Sequence, residues 1–365
     1  MNRREIIIGG SVGLVAIGAG AAYFGAQNAR SQAVYDDASR VMRSSLATQP
    51  EASDFIRYAT LAPNGHNAQP WRFAVTPNAI TINADLDRRT PVVDPDDHHL
   101  FVSLGCAAEN LMLAAAARGY RGDPLFDDIS GEISFQYHSA HREGSSLFDA
   151  IPKRQSTRAE YDGRAVNHAN LKALAAAAAI PGVEMVLITE RTKIDQVRDL
   201  VLAGNSRQMG DPAFLRELKS WLRFNPRQAL ETGDGLYSAA SDNPILPTWL
   251  GLRALDLFVT AKSENDKYAR HLKSSSGIAV FAGQKADREH WFLVGRACQR
   301  FALQATALGM KHAFINQPVE VATLRPDLAA LVGMAGTRPD IVMRFGYGPL
   351  LPYAPRRTVA SVMAS

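Results

Sequence analysis

Three carboxamides, Asn64, Asn67 and Gln69, fall within the stretch Leu61–Phe73, which reads LAPNGHNAQPWRF. Carboxamides donate and accept hydrogen bonds without charge, which suits the polar edge of a flat heterocycle. Pro63 lacks an N–H and stops the helix that runs into it. Gly65 lets the backbone approach such a ligand closely. A second group, Arg154, Gln155, Ser156 and Arg158, spaces two guanidiniums around a hydroxyl as R-x-S-x-R. Those donors can converge on one phosphate, or divide between a phosphate and a ring. Taken alone, the same run also fits a solvated basic turn. Asn316 and Gln317 add two carboxamides before Pro318, and Arg356 and Arg357 form a basic pair after Pro355.

Other chemistries are less well served. His98 and His99 follow Asp94-Pro95-Asp96-Asp97, which reads as a helix start with acids in its first turn, and no metal site is expected. Cys106 and Cys298 lie in apolar helical patterns and read as small core residues, since a bridge would require their helices to meet. The net charge of +4 is mild and no basic cluster is interleaved with aromatics, so nucleic acid is not an expected partner. With 365 residues, 46% of them hydrophobic, the chain can bury one large core or two modest ones.

These groups need elements to hold them. Helices over Ala33–Ser44 and Glu51–Leu61 are expected before the carboxamide corner, with strands Phe73–Val75 and Ala79–Ala84 after it. A long apolar helix over Phe101–Tyr120 follows. The order returns later in the chain. Helices Ser145–Lys153 and Asn167–Ile180 precede a corner at Pro181-Gly182, then come a strand Val183–Thr189, a long helix Trp291–Met310 and a closing strand Asp340–Phe345. A shift of 190 positions places Gly105 on Gly295, Leu113 on Leu303 and Gly119 on Gly309. Both long helices are apolar nearly all round, so both should be central and buried, and Gly105 and Gly295 would let them cross closely. The expected fold is α+β: two tandem copies, residues 31–144 and 145–365, the second carrying a lid-like insertion at 192–275.

Residues 1–30 stand apart. Arg3-Arg4 precede an uncharged run from Ile6 to Ala26, the pattern of a bacterial twin-arginine signal for export to the periplasm. A run of about 20 apolar residues can also cross a bilayer uncleaved and serve as an anchor.

The string A-P-N-x-x-N-x-Q-P-W-x-F resembles the nitroreductase family of FMN enzymes, and the R-x-S-x-R run resembles that family's phosphate motif. The resemblance spans about Phe55 to Val359 apart from the insertion and is closest to the Acg-type single-chain branch. It implies a nitroreductase-like fold forming a single-chain pseudo-dimer, with FMN as cofactor. In the family, one subunit gives the carboxamide corner and its partner the arginine motif. Here Pro63, Asn64, Gly65 and Asn67 lie in copy one, and Arg154, Gln155, Ser156 and Arg158 in copy two, which implies one FMN site in a monomer. By the same resemblance Arg154 and Ser156 hold the phosphate, helped by Arg356 and Arg357. Arg158 faces the N1/O2 edge of the ring, Asn67 fixes the ring, and Asn316 and Gln317 lie near N5.

Flavin carries the electrons, so the protein has only to orient it and set its potential. Arg158 would stabilise negative charge at N1/O2, and no side chain stands out as a general acid. The function implied is an FMN-dependent oxidoreductase passing electrons to a small-molecule acceptor, a nitroaromatic or a quinone. An exported protein would take them from a quinol or a protein donor. The alternative is a flavin-sequestering protein whose lid closes a latent site.

Overall fold

The computed structural model describes residue 25 and residues 27–364, so the expected export signal lies almost wholly outside the described residues. The chain opens with α1 (residues 27–42) and α2 (Ala52–Ala59), where Glu51 and Asp54 cap each other's backbone and Phe55, Ile56, Tyr58 and Ala59 are buried. A one-turn corner (Gly65–Asn67) leads to β1 (Trp71–Thr76) and β2 (Ala79–Ala84), and then to the long α3 (His98–Ala116). Short strands β3 (Tyr120–Arg121), β4 (Pro124–Phe126), β5 (Ile133–Gln136) and β6 (His138–Ser139) close the first half.

The second half begins with α4 (Ser146–Ala150), α5 (His168–Ala177) and β7 (Val183–Ile188). The insertion then runs through α6 (Arg191–Met209), α7 (Pro212–Trp221), β8 (Leu222–Arg223), α8 (Pro226–Thr232), β9 (Leu236–Tyr237), α9 (Thr248–Phe258) and α10 (Ala261–Lys273). After it come β10 (Gly277–Gly283), α11 (Arg288–Ala307), β11 (Lys311–Phe314), α12 (Gln317–Glu320), α13 (Arg325–Leu331), β12 (Ile341–Gly346) and α14 (Val359–Val362).

The two main sheets share one strand order. The first runs β1-β2-β5-β4 and the second β7-β10-β12-β11, with every neighbour antiparallel. In each, two strands precede the long helix and two follow it. The helices α3 and α11 start 190 positions apart, each behind an N-cap aspartate, Asp97 and Asp287. They cross at the matched glycines, where backbone meets backbone. A Cβ on Gly105 would lie 2.0 Å from the Phe292 carbonyl oxygen, and one on Gly295 2.1 Å from that of Val102. The packing around this crossing is continuous: Ile80, Ile82 and Phe135 of the first sheet share a core with Phe281, Met343 and Phe345 of the second.

Three expectations change. The insertion is not all lid: α6 and α10 bury Ile194, Val197, Val201 and Leu272 against Ile278, Val280 and Val342 on the far face of the second sheet. The acids before α3 lie outside its first turn. Asp97 takes a left-handed φ of 59°, and the Asp94 carboxylate accepts from the His99 and Leu100 N–H groups. Cys106 and Cys298 are buried as expected, but their helices do meet, with the Sγ atoms 3.5 Å apart and both thiols aimed at the Gly295 carbonyl.

Candidate functional site

The corner after α2 is held by its own amides. Asn64 Oδ1 accepts from the Gln69 N–H at 2.8 Å, which closes the loop on itself. The left-handed residues are His66 (48°), Asn67 (54°) and Gln69 (55°), so the turn is made beside Gly65 rather than by it. Gly65 matters for space: a Cβ there would meet nothing within 4 Å. The Asn67 amide donates to the Gly235 and Pro355 carbonyls, and its oxygen accepts from Arg356. Gln69 reaches Gly233, and Arg88 pairs with Asp234. The segment Gly233–Tyr237 is therefore pinned to the corner as a fixed wall.

A cavity of about 540 Å³ opens between this corner, the start of α3 and the insertion. Of the residues singled out in the sequence, Pro63, Asn64, Gly65, Arg158, Asn316 and Gln317 line it. An adjoining recess of about 60 Å³ is lined by Pro63, Asn64, Asn67, Arg154, Gln155, Ser156, Arg158 and Arg356. The fold thus brings eleven of the twelve candidates to two connected spaces, with Arg158 shared by both. Arg357 is the exception. It donates to the Gln69 and Ser361 carbonyls and to Asp85, facing neither space, because it ties the C-terminal strap to the chain just before β1 and just after β2.

Which of these groups remain free for a ligand is a sharper question. Arg356 directs its donors to the carbonyls of Thr60, Leu61 and Ala62 at the end of α2, and to Asn67. It caps that helix and has little left for a phosphate. Both ends of the Gln155 amide hold Leu351. Asn67 is engaged as described, so it acts on a ring only through the loop it braces. Arg154 differs. It is 2% exposed, donates to the Leu61 carbonyl and, at 3.5 Å, to the Ser156 hydroxyl oxygen, and leaves Nε without a partner. Arg158 makes no hydrogen bond or ion pair among the described residues although it is half-buried at the junction of the two spaces. A guanidinium without a protein partner on a cavity wall is free to pair with an electron-rich group of a ligand.

Electrostatics reinforce this. Burial, and then Arg158 itself, hold His66 down to about 4, so it is neutral beside the guanidinium. Burial pushes Glu320 up to about 7 although Gln208 donates to it at 2.6 Å. At neutral pH the lining is therefore net positive around Arg158.

Several lining groups had no sequence signal. Asn205, Gln208, Lys267 and Tyr268 come from the insertion, which matches no motif. At the other end, His99 Nε2 lies 3.3 Å from Asn316 Nδ2, and the Asn316 oxygen accepts from the Val342 N–H. The ligating atoms of Asp94, His98 and His99 lie within 4.8 Å of one another, closer than the sequence reading allowed. Burial holds both imidazoles well below their usual range, His98 at about 3. His98 contacts Asp340 at 2.9 Å, with the Arg338 guanidinium close by. That adjacent cation makes the cluster a poor home for another.

The chain is an α+β body with two like-ordered sheets and a cavity between a carboxamide corner and an arginine motif. No family model matches the chain. Its sequence is 26% identical over 318 residues to "Putative NAD(P)H nitroreductase Rv3131" of Mycobacterium tuberculosis, covering 84% of this chain and 89% of that one. It is 24% identical over 355 residues to "Putative NAD(P)H nitroreductase acg" of the same species, covering 88% and 97%. Among solved structures, the FMN-dependent nitroreductase NfnB from Mycobacterium smegmatis, in complex with NADPH, covers 60% of this chain and 97% of its own at 13% identity and a TM-score of 0.42. The chain is a distant homologue of these mycobacterial proteins.

Proposed function

We propose that the chain is an FMN-dependent oxidoreductase of nitroreductase type, a single-chain pseudo-dimer with one flavin site. The observation that carries this reading is Arg158, unpaired where the 540 Å³ cavity meets the recess that holds Arg154 and Ser156. The residues present fit the cofactor. The orphaned Nε of Arg154 and the Ser156 hydroxyl offer donors to a phosphate in the recess. Arg158 offers positive charge to the ring edge, and Asn64 and Gly65 of the other half supply the opposing wall. Bound flavin would supply two-electron chemistry.

The chain's own residues then have limited tasks. Arg158 holds positive charge where negative charge would develop. Asn67 and Asn64 keep the corner rigid, and the pinned Gly233–Tyr237 wall excludes water from one side. The donor is a quinol or a protein if the chain is exported, and the acceptor is a small electron-poor molecule. Purification from flavin-replete cells, followed by release and chromatography of the pigment, should give one FMN per monomeric chain. FAD, two flavins per chain, or flavin bound only by a dimer would overturn the single-site reading. Reduction by dithionite but not by any quinol, protein donor or nicotinamide would favour the flavin-sequestering alternative, for which the enclosing insertion speaks.

A further inference from the structure

The 540 Å³ cavity changes character away from Arg158. One wall is an apolar lane built by the insertion: Phe214 and Leu218 of α7, Leu222 and Phe224 at β8, and Leu255 and Phe258 of α9. Its course follows from contacts. Helix α7 packs on the Gly65–Asn67 turn, so the lane starts at the carboxamide corner. Helix α9 is seated on Phe224 so closely that a Cβ on Gly251 would lie 2.3 Å from the ring, and its Asp256 pairs with Lys219 of α7. At the far end Phe258 lines the cavity and is 72% exposed, so the lane opens to the surface there. The facing wall is polar, but its groups are already engaged. Gln208 donates to Glu320 at 2.6 Å, Asn205 to Asn265 at 2.7 Å and Lys267 to Asn243 at 3.0 Å. A ligand in this part of the cavity meets apolar surface and spent hydrogen-bonding groups. Arg158 keeps its donors at the junction with the recess.

We propose that the electron acceptor is an amphiphilic quinone, its ring held at Arg158 and its apolar alkyl or prenyl tail laid along the lane towards Phe258. The proposal rests on the flavin reading above. A few polar groups orient a ligand in such a site, while apolar surface holds it. The quinone oxygens accept from the guanidinium, and the tail needs no hydrogen bond. Each methylene withdrawn from water strengthens binding about fourfold, so the tail, rather than the ring, decides which quinone binds. A compact nitroaromatic would fill only the inner end and leave the lane from Phe224 to Phe258 unused. The exposed mouth lets the tail be longer than the cavity. The chemistry balances without the tail: reduced flavin gives two electrons and two protons to the quinone, which leaves as the hydroquinone.

Two quinones with one ring separate tail from chemistry: 2,3-dimethoxy-5-methyl-1,4-benzoquinone with either hydrogen or a decyl chain at the remaining carbon. Flavin-loaded protein reduced by dithionite is mixed with each, and reoxidation is followed by absorbance. The decyl quinone should half-saturate at a concentration at least about tenfold lower. Leu255→Lys puts an ammonium in the lane and should shrink that ratio to below about threefold. Phe258→Asp, at the exposed mouth, should shrink it too, and it carries the test if Leu255→Lys does not fold. General loss of structure would slow both quinones alike and leave the ratio in place. Binding is read separately from electron transfer. The emission of dansyl decylamide should rise and shift to the blue on adding the full chain as purified, whatever its flavin content. It should saturate at one probe per chain and be displaced by the decyl quinone but not by the tailless one. A chain without flavin that takes the probe in this way would sink the flavin reading and keep the lane. Equal half-saturation by the two quinones would sink the lane and keep the flavin. A ratio that persists in both variants, or probe binding unchanged in Leu255→Lys, would likewise overturn the proposal.

Discussion

The molecule contains two corners where a helix hands over to the first strand of a sheet, and they differ sharply. At the first, the chain runs from Thr60 to Trp71 through three carboxamides, and a methyl group added at Gly65 would meet open space. At the second, α5 passes to β7 through Ile180-Pro181-Gly182, and Gly182 adopts a φ of 85° with the Leu293 side chain 3.2 Å from where its Cβ would be. Side chains of α11 close that corner. The strand order is the same in both halves, so topology alone does not make a cavity. The polar loop and the missing plug make it. The first turns of the long helices differ in the same way, with His98 and His99 buried at α3 while Arg288 and Glu289 are exposed at α11.

The most damaging way to probe this contrast is at the glycines. Gly105→Val should cost about 3 kcal/mol, because the added carbons meet backbone that cannot yield, and the loss of soluble protein or a lowered unfolding midpoint would show it. Gly65→Ala, in open space, should leave stability within about 0.5 kcal/mol and alter only ligand affinity. Equal destabilisation by the two would mean that the helix crossing is not the tight point of the fold.

A second pair separates arginines that wait for a ligand from arginines already engaged. Arg154→Ala should weaken FMN binding by about 1.5–3 kcal/mol, the range for a hydrogen bond to a charged group, measured by fluorescence titration of the apoprotein. Arg357→Ala should leave FMN affinity unchanged and lower stability, since its partners are Gln69, Asp85 and Ser361. An affinity loss in Arg357→Ala like that in Arg154→Ala would restore the phosphate role expected from sequence.

Much of this was legible in the residues. Helical and strand periodicity located α3, α11, β2 and β12 to within a few positions, and the matched glycines placed the crossing. The spacing of Arg154, Ser156 and Arg158 put them together because alternate positions of an extended run share one face. Sequence did not show which donors were already satisfied. Arg356 and Arg154 read alike as cations, yet one caps α2 and the other keeps an orphaned Nε. The meeting of Cys106 with Cys298, and of His99 with Asn316, also depends on contacts between residues about 190 and 217 positions apart, which no local pattern encodes. The division of the insertion between helices that cover the sheet and helices that line the cavity is not legible in the sequence, because both kinds carry similar apolar spacing.

The smallest effect concerns pH and sharpens the charge contrast inside the cavity. The Glu320 carboxyl is held at about 7 by burial, against about 4.3 in an unfolded chain. Between those values the folded state binds more protons than the unfolded state, so stability falls as pH rises through the window, and the loss is complete above pH 7. The buried imidazoles of His98 and His99 act oppositely. Burial holds their folded values below 6.5, so in acid the unfolded state takes up more protons and stability rises with pH. The difference between Glu320→Gln and the parent isolates the carboxyl. The variant keeps an acceptor for Gln208 and should unfold at a higher urea concentration than the parent at pH 8, with the gap closing by pH 4. Because Glu320 is only half-buried by its surroundings, the gap should be a modest fraction of total stability. Parallel pH profiles for the two proteins would show that the carboxyl is already solvated, and that the positive field around Arg158 is weaker than the lining suggests.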